Sequence, residues 1–318
     1  MQTARDVLTP DALAMLQTIA QAGSFAGAAR GLGLVPSALT YRVRQIEDAL
    51  DVLLFDRSSR QARLTEAGAE LLREGARLLT EIDAVANRVK RVATGWESQL
   101  TIAMDSIISR ATMMELCESF FALNPPTRIK LRDEALSGTV QALTSGQADL
   151  AMGVPLEPGA HAGVLGKPLG LVNFVYVVAP HHPLANEPEP LRDELLQQHR
   201  AVAVADSIQR GAGVTFGLLS GQDVFTVATM HAKLDAQLRG LGGGFVPEPM
   251  ARAYIAAGRL VVKRVDRPER VVRVSYAWRS AGKSGQGRAL QWWLQQLESP
   301  ATRTALLERQ QHSYPVTA

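Results

Sequence analysis

The sequence predicts an α/β protein in two parts, a small helical N-terminal part and a larger part in which strands alternate with helices. Apolar residues recur at helical spacing as far as about Thr94, and short apolar runs alternate with helical segments after Gly95. A chain of 318 residues also exceeds one ordinary core. We therefore predict an N-terminal domain at 1–64, a linker helix at 65–95, a C-terminal domain at 96–300 and a loosely held polar tail at 301–318.

The composition is that of a globular protein, with 46% hydrophobic and 20% charged residues. No apolar run reaches the length of about 18 residues that a transmembrane helix needs. Asp6 and Asp11 stand where a secretion signal would have basic residues. Cys117, the single cysteine, cannot form an internal disulfide or a metal cluster by itself. We expect a cytoplasmic protein with no metal, no cofactor and no membrane attachment.

The first 50 residues contain three helix signals. Thr9 and Pro10 start a helix that stops at Gly23, and Ser24 can cap a short helix that runs to about Leu32. A third helix opens at residues 36 and 37 and runs to about residue 50. Two short helices joined by a tight, glycine-containing turn are typical of a helix-turn-helix, whose second helix enters the major groove of DNA.

The candidate DNA-binding residues are polar or basic and face away from the predicted core. A net charge of +3 does not establish a nucleic-acid partner, but residues 24–46 contain no acid, which a generic three-helix bundle would not require. Either Arg42 or Arg44 can pair with guanine, or else contact phosphates without reading sequence. The candidates are Ser24, Pro36, Ser37, Thr40, Tyr41, Arg42 and Arg44, with Arg57 and Arg60 at the bend of a strand-turn-strand wing within 51–64.

The linker helix carries an apolar seam with alternating steps of three and four residues. Gly75 fills the one missing position of this heptad pattern. The seam is buried either against a second copy of the chain or against the chain's own second domain, and the dimer is favoured because a helix-turn-helix usually reads paired half-sites. The seam residues are Leu71, Leu78, Ile82, Val85, Val89 and Val92.

After Gly95 the alternating pattern predicts parallel sheets with crossover helices. Interruptions near 165–170 and 266–270 predict two lobes joined by crossover strands, lobe I at about 96–166 and 269–300 and lobe II at about 167–268. Ligands in such folds bind at the carboxyl ends of strands and at helix N-termini. The candidate effector residues at these places are Asp105, Ser106, Ser137, Gly138, Thr139, Asp206, Ser207, Met230, His231, Val246 and Pro247.

Each of these positions also has an ordinary interpretation. The hydroxyl groups can simply cap helices, and His231 can be a surface residue. If the positions converge, hydroxyls and backbone N–H groups suit an anionic or phenolic ligand, so we expect a small aromatic or carboxylate effector. No catalytic nucleophile with a positioned base is visible, and the His181–His182 pair has no third metal ligand nearby in sequence.

The order and spacing of several motifs resemble those of LysR-type transcriptional regulators over nearly the whole chain. The strongest run, from Ala20 to Gly68, reads A-x-x-G-S-F-x-x-A-A-x-x-L, P-S-A-L-T-Y-R-V-R-Q-I-E-x-x-L, L-L-F-D-R and L-T-E-A-G. Further similar stretches are A-L-T-S-G-Q-A-D-L-A-M-G at 142–153, H-H-P-L-A at 181–185 and L-G-G-G-F-V-P at 241–247. The chain departs from the pattern at Pro36, Thr40 and Asp51, where a polar residue, serine and glycine are usual.

The resemblance implies a winged helix-turn-helix, a dimerising linker helix and a two-lobed effector domain similar to periplasmic binding proteins. It also implies a homodimer that pairs into a homotetramer, bends promoter DNA and changes the access of RNA polymerase when a ligand binds between the lobes. Two alternatives stay open at this point, a solute-binding protein without DNA function and an enzyme with a fused helix-turn-helix. A stable dimer or tetramer that binds DNA is expected only for the regulator.

Overall fold

The computed structural model describes residues 3–56, 62–154, 163–207, 217–280 and 285–310. It divides into two compact units, Met1–Asn87 and Arg88–Ala318.

The N-terminal unit is helical with a short antiparallel β-ribbon. Its elements are α1 Ala4–Val7, α2 Pro10–Ala22, α3 Phe25–Leu32, α4 Pro36–Leu50, β1 Phe55–Asp56, β2 Arg63–Leu64 and the first part of α5 Glu66–Thr94. The Thr9 hydroxyl accepts a hydrogen bond from the Ala12 N–H at 3.2 Å, and the Ser24 hydroxyl accepts one from the Gly27 N–H at 3.1 Å. The starts of α2 and α3 that the capping residues predict are therefore confirmed.

The core of this unit holds α4 against α2, α3 and the ribbon. Leu16, Ile19 and Leu39 are completely or almost completely buried within it. Glu47 on α4 is also buried, and its carboxylate accepts a hydrogen bond from the Leu54 N–H at 2.8 Å. This charge-assisted hydrogen bond ties α4 to the start of the wing.

The two N-terminal positions of the predicted α5 seam serve the core of the N-terminal unit. Leu71 is half-buried against that core. Gly75 is buried, and a Cβ atom there would lie 2.9 Å from Leu13 Cδ2. Leu71 thus contributes to the core of the N-terminal unit, and its place in the dimer seam stays a prediction.

The remaining seam residues are exposed in the described chain. Their exposed fractions range from 46% to 78%, which is unusual for aliphatic side chains spaced along one helix face. We call these residues the α5 stripe: Leu78, Ile82, Val85, Val89 and Val92.

The C-terminal unit alternates strands and helices, as predicted. Its strands are β3 Gln99–Asp105, β4 Arg128–Glu134, β5 Leu150–Val154, β6 Val164–Val178, β7 Ala201–Val204, β8 Val224–Val227, β9 Gly244–Pro247, β10 Val261–Lys263 and β11 Arg270–Arg279. Its helices are α6 Arg110–Phe121, α7 Gly138–Thr144, α8 Asp193–Leu196, α9 Met230–Leu238, α10 Glu248–Ala256, α11 Arg288–Glu298 and α12 Pro300–Glu308, with a 3-10 turn at Pro183–Asn186.

Two long antiparallel strands connect the lobes. β6 and β11 pair from Val164 opposite Arg279 to Phe174 opposite Arg270. On one side β11 continues into β5, β3 and β4, with β3 parallel to both its neighbours. On the other side β6 pairs with β9 and β10, and β7 and β8 form a separate parallel pair. We call the part around β3, β4 and β5 the first lobe, and the part around β7, β8, β9 and β10 the second lobe.

The predicted tail is partly an ordered helix, so that prediction is wrong for residues 301–308. Leu306 and Leu307 of α12 are buried, and the Leu306 carbonyl accepts a hydrogen bond from the Ser109 N–H at 2.8 Å. The Ser299 hydroxyl caps α12, and Pro300 occupies its first turn. This is the same start signal that Thr9 and Pro10 give to α2.

The residue that ends α4, Asp51, has a backbone conformation that favours glycine. It adopts the left-handed conformation, with φ 52° and ψ 39°. Because glycine reaches this region without a Cβ penalty, we expect Asp51→Gly to raise the free energy of unfolding by about 0.5–1 kcal/mol. Asp48→Gly, an exposed control inside α4, should lower it by up to about 1 kcal/mol. Urea unfolding followed by circular dichroism checks both, and a destabilised Asp51→Gly variant would contradict the argument.

Candidate DNA-binding surface and ligand cleft

The outer face of α4 presents polar side chains to solvent. Thr40, Tyr41, Arg42 and Arg44 are all exposed, with 63% of Tyr41 accessible. The Gln45 side-chain amide donates a hydrogen bond to the Tyr41 hydroxyl at 3.2 Å, which limits the movement of the ring. The Thr40 hydroxyl donates to the Pro36 carbonyl at 3.0 Å. Helical phase places the apolar residues Leu39, Val43 and Ile46 on the opposite, buried face.

The two arginines of this face are unpaired within the described part of the chain. Neither Arg42 nor Arg44 has an ion pair or hydrogen bond there, although Arg309 elsewhere makes a two-bond pair with Glu115. A guanidinium with open donors can bind a phosphate or the O6 and N7 atoms of guanine. The face is therefore chemically suited to a DNA duplex.

The other predicted DNA contacts have different surroundings. The Ser24 hydroxyl is engaged as the cap of α3, which is its role within the unit. Pro36 and Ser37 are exposed in the first turn of α4, whose N-cap residue Val35 makes no side-chain hydrogen bond. Arg57 and Arg60 lie outside the described residues.

Several predicted effector residues converge where the two lobes meet. The Asp105 carboxylate accepts hydrogen bonds from the Ile107 and Leu136 N–H groups, each at 3.0 Å. The Ser106 hydroxyl accepts a hydrogen bond from the Met230 N–H of the second lobe at 3.1 Å. The carboxyl end of β3 is thus joined to the N-terminus of α9.

A second set of contacts crosses between the lobes at the start of α7. The Ser137 hydroxyl donates to the Asp206 carboxylate. The Ser207 hydroxyl donates to the Glu134 carboxylate at 2.8 Å and accepts from the Ala135 N–H at 3.1 Å. A Cβ atom on Gly138 would lie only 1.7 Å from the Ser207 oxygen, so the lobes approach here because residue 138 lacks a side chain. The polar groups of the cleft therefore satisfy one another.

Three predicted effector side chains pack inside the fold. Thr139 is fully buried and donates to the Leu136 carbonyl at 3.2 Å. Val246 is fully buried in the hydrophobic core, and Pro247 is buried beside it in β9. The expectation that these side chains line the cleft is corrected, because the strand and helix that carry them turn their side chains into the core.

The first two residues of α9 have different roles at the cleft between the lobes. The Met230 side chain is buried in the core, so only its N–H reaches Ser106. His231 is half-buried, and burial together with the Arg110 charge lowers the pKa of its imidazole despite the opposing effect of Asp133. A neutral imidazole at pH 7 can donate or accept a hydrogen bond.

Burial raises the pKa of the Asp105 carboxyl to about 6, against the opposing effect of the two N–H donors from Ile107 and Leu136. Its charge is therefore sensitive to any group that enters the cleft. Glu134, which holds Ser207, was missed in the sequence. It stands at the end of β4, so the strand-end rule that selects Asp105 would also have found it.

Two other kinds of site are absent from the described residues. No group of three or more histidine, cysteine, aspartate or glutamate side chains there is arranged to hold a metal ion. None of the described helices combines the length and the apolar character needed to cross a bilayer.

An exposed basic helix-turn-helix surface and a separate two-lobed α/β unit define the class of DNA-binding regulators with a ligand-binding domain. Residues 10–69 match the family model "Bacterial regulatory helix-turn-helix protein, lysR family", and residues 93–300 match "LysR substrate binding domain". The chain belongs to the LysR family of bacterial regulatory proteins.

Individual relatives match along most of their length. The HTH-type transcriptional regulator YhaJ of Escherichia coli O157:H7 is 35% identical over 292 residues, which cover 91% of this chain and 96% of that protein. The HTH-type transcriptional activator AllS of Klebsiella pneumoniae is 30% identical over 256 residues, covering 80% and 95%. The crystal structure of the LysR family regulator CbnR has a TM-score of 0.60 at 19% identity, covering 91% and 98%. It shares the fold.

Proposed function

We propose that the protein binds a promoter operator through the outer face of α4 and that a small molecule held between the lobes changes this binding. Arg42 and Arg44, which are exposed and have no partner among the described residues, carry the proposal. The names of YhaJ and AllS support it, since they describe a transcriptional regulator and a transcriptional activator. CbnR has also been solved in complex with its target DNA.

A homodimer follows from the α5 stripe. Two α5 helices that bury their stripes against each other would place two copies of α4 on successive half-sites of the operator. Two such dimers would form the tetramer that bends DNA and alters the access of RNA polymerase. We place this operator binding in the cytoplasm, which contains the bacterial DNA.

The effector has to compete with the bonds that now join the lobes. Ser137, Asp206, Ser207 and Glu134 are mutually satisfied, so a ligand binds well only if it returns comparable hydrogen bonds to them. A small aromatic or carboxylate compound offers such groups together with apolar surface. The ligand would favour one arrangement of the lobes, and the affinity for DNA would follow that preference.

Removing one guanidinium from α4 should weaken operator binding. We expect Arg42→Ala to raise the dissociation constant of the chain's own promoter DNA about 5- to 150-fold, equivalent to about 1–3 kcal/mol for a lost guanine contact. Fluorescence anisotropy at physiological salt measures it.

Arg128→Ala is the matched control, since Arg128 is an exposed arginine on β4, in the other unit. It should leave the affinity unchanged. A uniform loss on operator and unrelated DNA would identify Arg42 as a phosphate contact. Unchanged affinity of Arg42→Ala would remove this residue from the DNA-binding surface.

A further inference from the structure

A lysine of α9 is buried without a partner among the residues that the structure describes. Lys233 is only 6% exposed, and no hydrogen bond or ion pair to its ammonium group occurs among the described residues. Burying a charge without compensation is costly, so an unpaired ammonium in a folded core needs an explanation.

Lys263 shows how the same lobe treats an equally buried lysine. Its ammonium group donates to the Ala185 carbonyl at 3.2 Å and to the Glu187 carbonyl at 2.8 Å. The Glu189 carboxylate lies 3.4 Å away. Lys263 is 7% exposed, so the two lysines are equally buried. They differ in that Lys263 has hydrogen-bond acceptors within reach among the described residues and Lys233 has none.

The surroundings of Lys233 are positive and contain a second unsatisfied atom. The Arg270 guanidinium lies over the rings of Phe174 and Phe245, 5.1 and 5.7 Å from their centroids. Burial, together with the Arg270 charge, lowers the pKa of Lys233 to about 8. The buried side-chain oxygen of Gln237, one turn further along α9, also has no hydrogen-bond partner among the described residues.

The ammonium group of Lys233 reaches a small cavity within the second lobe. A Cβ atom on Gly244 would lie 3.2 Å from the Lys233 nitrogen, so the glycine leaves this space open. Tyr176, Gly243 and Phe245 also line the cavity, whose free volume is about 10 Å³. That is close to the space of a single water-sized group. None of the cleft residues Asp105, Ser137 and Asp206 lines it.

We propose that Lys233, supported by Arg270, forms a pocket in the second lobe for one small monovalent anion. The anion supplies the negative charge that balances the ammonium group. The small cavity limits the anion to a halide ion or the carboxylate end of an organic acid. This pocket is independent of the cleft between the lobes and of DNA binding.

Thermal unfolding of the full chain in formate or chloride tests the pocket. Sodium formate and sodium chloride are compared with a HEPES salt of equal ionic strength, since the HEPES sulfonate is too large for the cavity. A ligand that binds only the folded state at ten times its dissociation constant should raise the melting temperature by about 3–5 °C. A larger effect of formate identifies a carboxylate site, and a larger effect of chloride identifies a halide site.

Lys233→Met provides the decisive variant. It should abolish the anion-specific shift and should unfold at an equal or higher temperature than wild type in HEPES, because it removes an unpaired buried charge. Lys130→Met, an exposed control on β4, should keep the shift. Absence of a shift in wild type with both anions, or a shift that survives in Lys233→Met, overturns the pocket. If Lys233→Met fails to fold, calorimetric titration of wild type with both anions decides by the presence or absence of binding heat.

Discussion

Replacing Ile82 by aspartate is expected to dissociate the dimer and to abolish tight operator binding. Ile82 lies in the middle of the α5 stripe and is 46% exposed in the single chain. Each dimer would contain two such side chains, and burial of an isoleucine is worth about 1.5–3 kcal/mol. Because only about half of each side chain is still exposed in the single chain, the two replacements remove about 1.5–3 kcal/mol per dimer, which corresponds to a dimer about 10- to 100-fold weaker before the cost of burying the carboxylates is added. Analytical ultracentrifugation and fluorescence anisotropy on operator DNA measure the two effects.

Ala84→Asp is the control on the same helix. Ala84 is half-exposed and lies about 120° around α5 from the middle of the stripe. Ala84→Asp introduces the same charge and a larger loss of helix propensity, since alanine is the best helix former, yet it should leave the dimer intact. If Ile82→Asp sediments like wild type, the stripe is covered in some other way and the dimer proposal fails.

Adding one methyl group at Gly138 is expected to separate the two lobes. The new Cβ atom would fall 1.7 Å from the Ser207 oxygen and 2.8 Å from a Glu134 carboxylate oxygen. Ser207 must then leave the position in which it bonds Glu134 and Ala135. We expect Gly138→Ala to lower the free energy of unfolding of the C-terminal unit by about 1–3 kcal/mol and to remove the effector response. Thermal unfolding and operator titrations with and without effector measure these effects.

A double-variant cycle separates the steric clash from a general loss of stability. Ser207→Ala removes the oxygen that the new methyl group meets, and its remaining Cβ atom would be 3.1 Å from that methyl. Gly138→Ala should therefore destabilise the Ser207→Ala background less than it destabilises wild type, and the loss that remains comes from the 2.8 Å approach to the Glu134 carboxylate. Additive destabilisation would show that Gly138 acts through something other than the contact with Ser207.

The N-terminal helices could be predicted from the sequence because their signals are local. Thr9 and Ser24 each cap a helix with a bond to a residue three positions on, so the spacing alone reveals the start. The α5 periodicity does not indicate which of its apolar residues pack within the unit and which are exposed. A three-four repeat marks Leu71 and Leu78 alike, although the first packs inside the unit and the second is exposed.

The cleft and the tail show where sequence patterns are insufficient. Strand ends located Asp105 and Asp206, but the bond between Ser137 and Asp206 joins residues far apart in the chain, so its existence depends on how the lobes close. The sequence pattern predicts that the fold ends at Pro300, whereas Ser299 and Pro300 start α12. Lys233 and Arg270 are also distant in sequence, so no basic cluster was visible there.

The ordered helix near the chain end bears on how the protein is synthesised. Translation proceeds from the N-terminus, and domains generally fold as they emerge. The α4 surface can therefore be complete while the ligand-binding unit still lacks Leu306 and Leu307, which fill its core beside α6 and β6. A nascent or prematurely terminated chain would carry a finished DNA reader attached to an unfinished sensor. Completion of the ligand-binding core accordingly depends on α12.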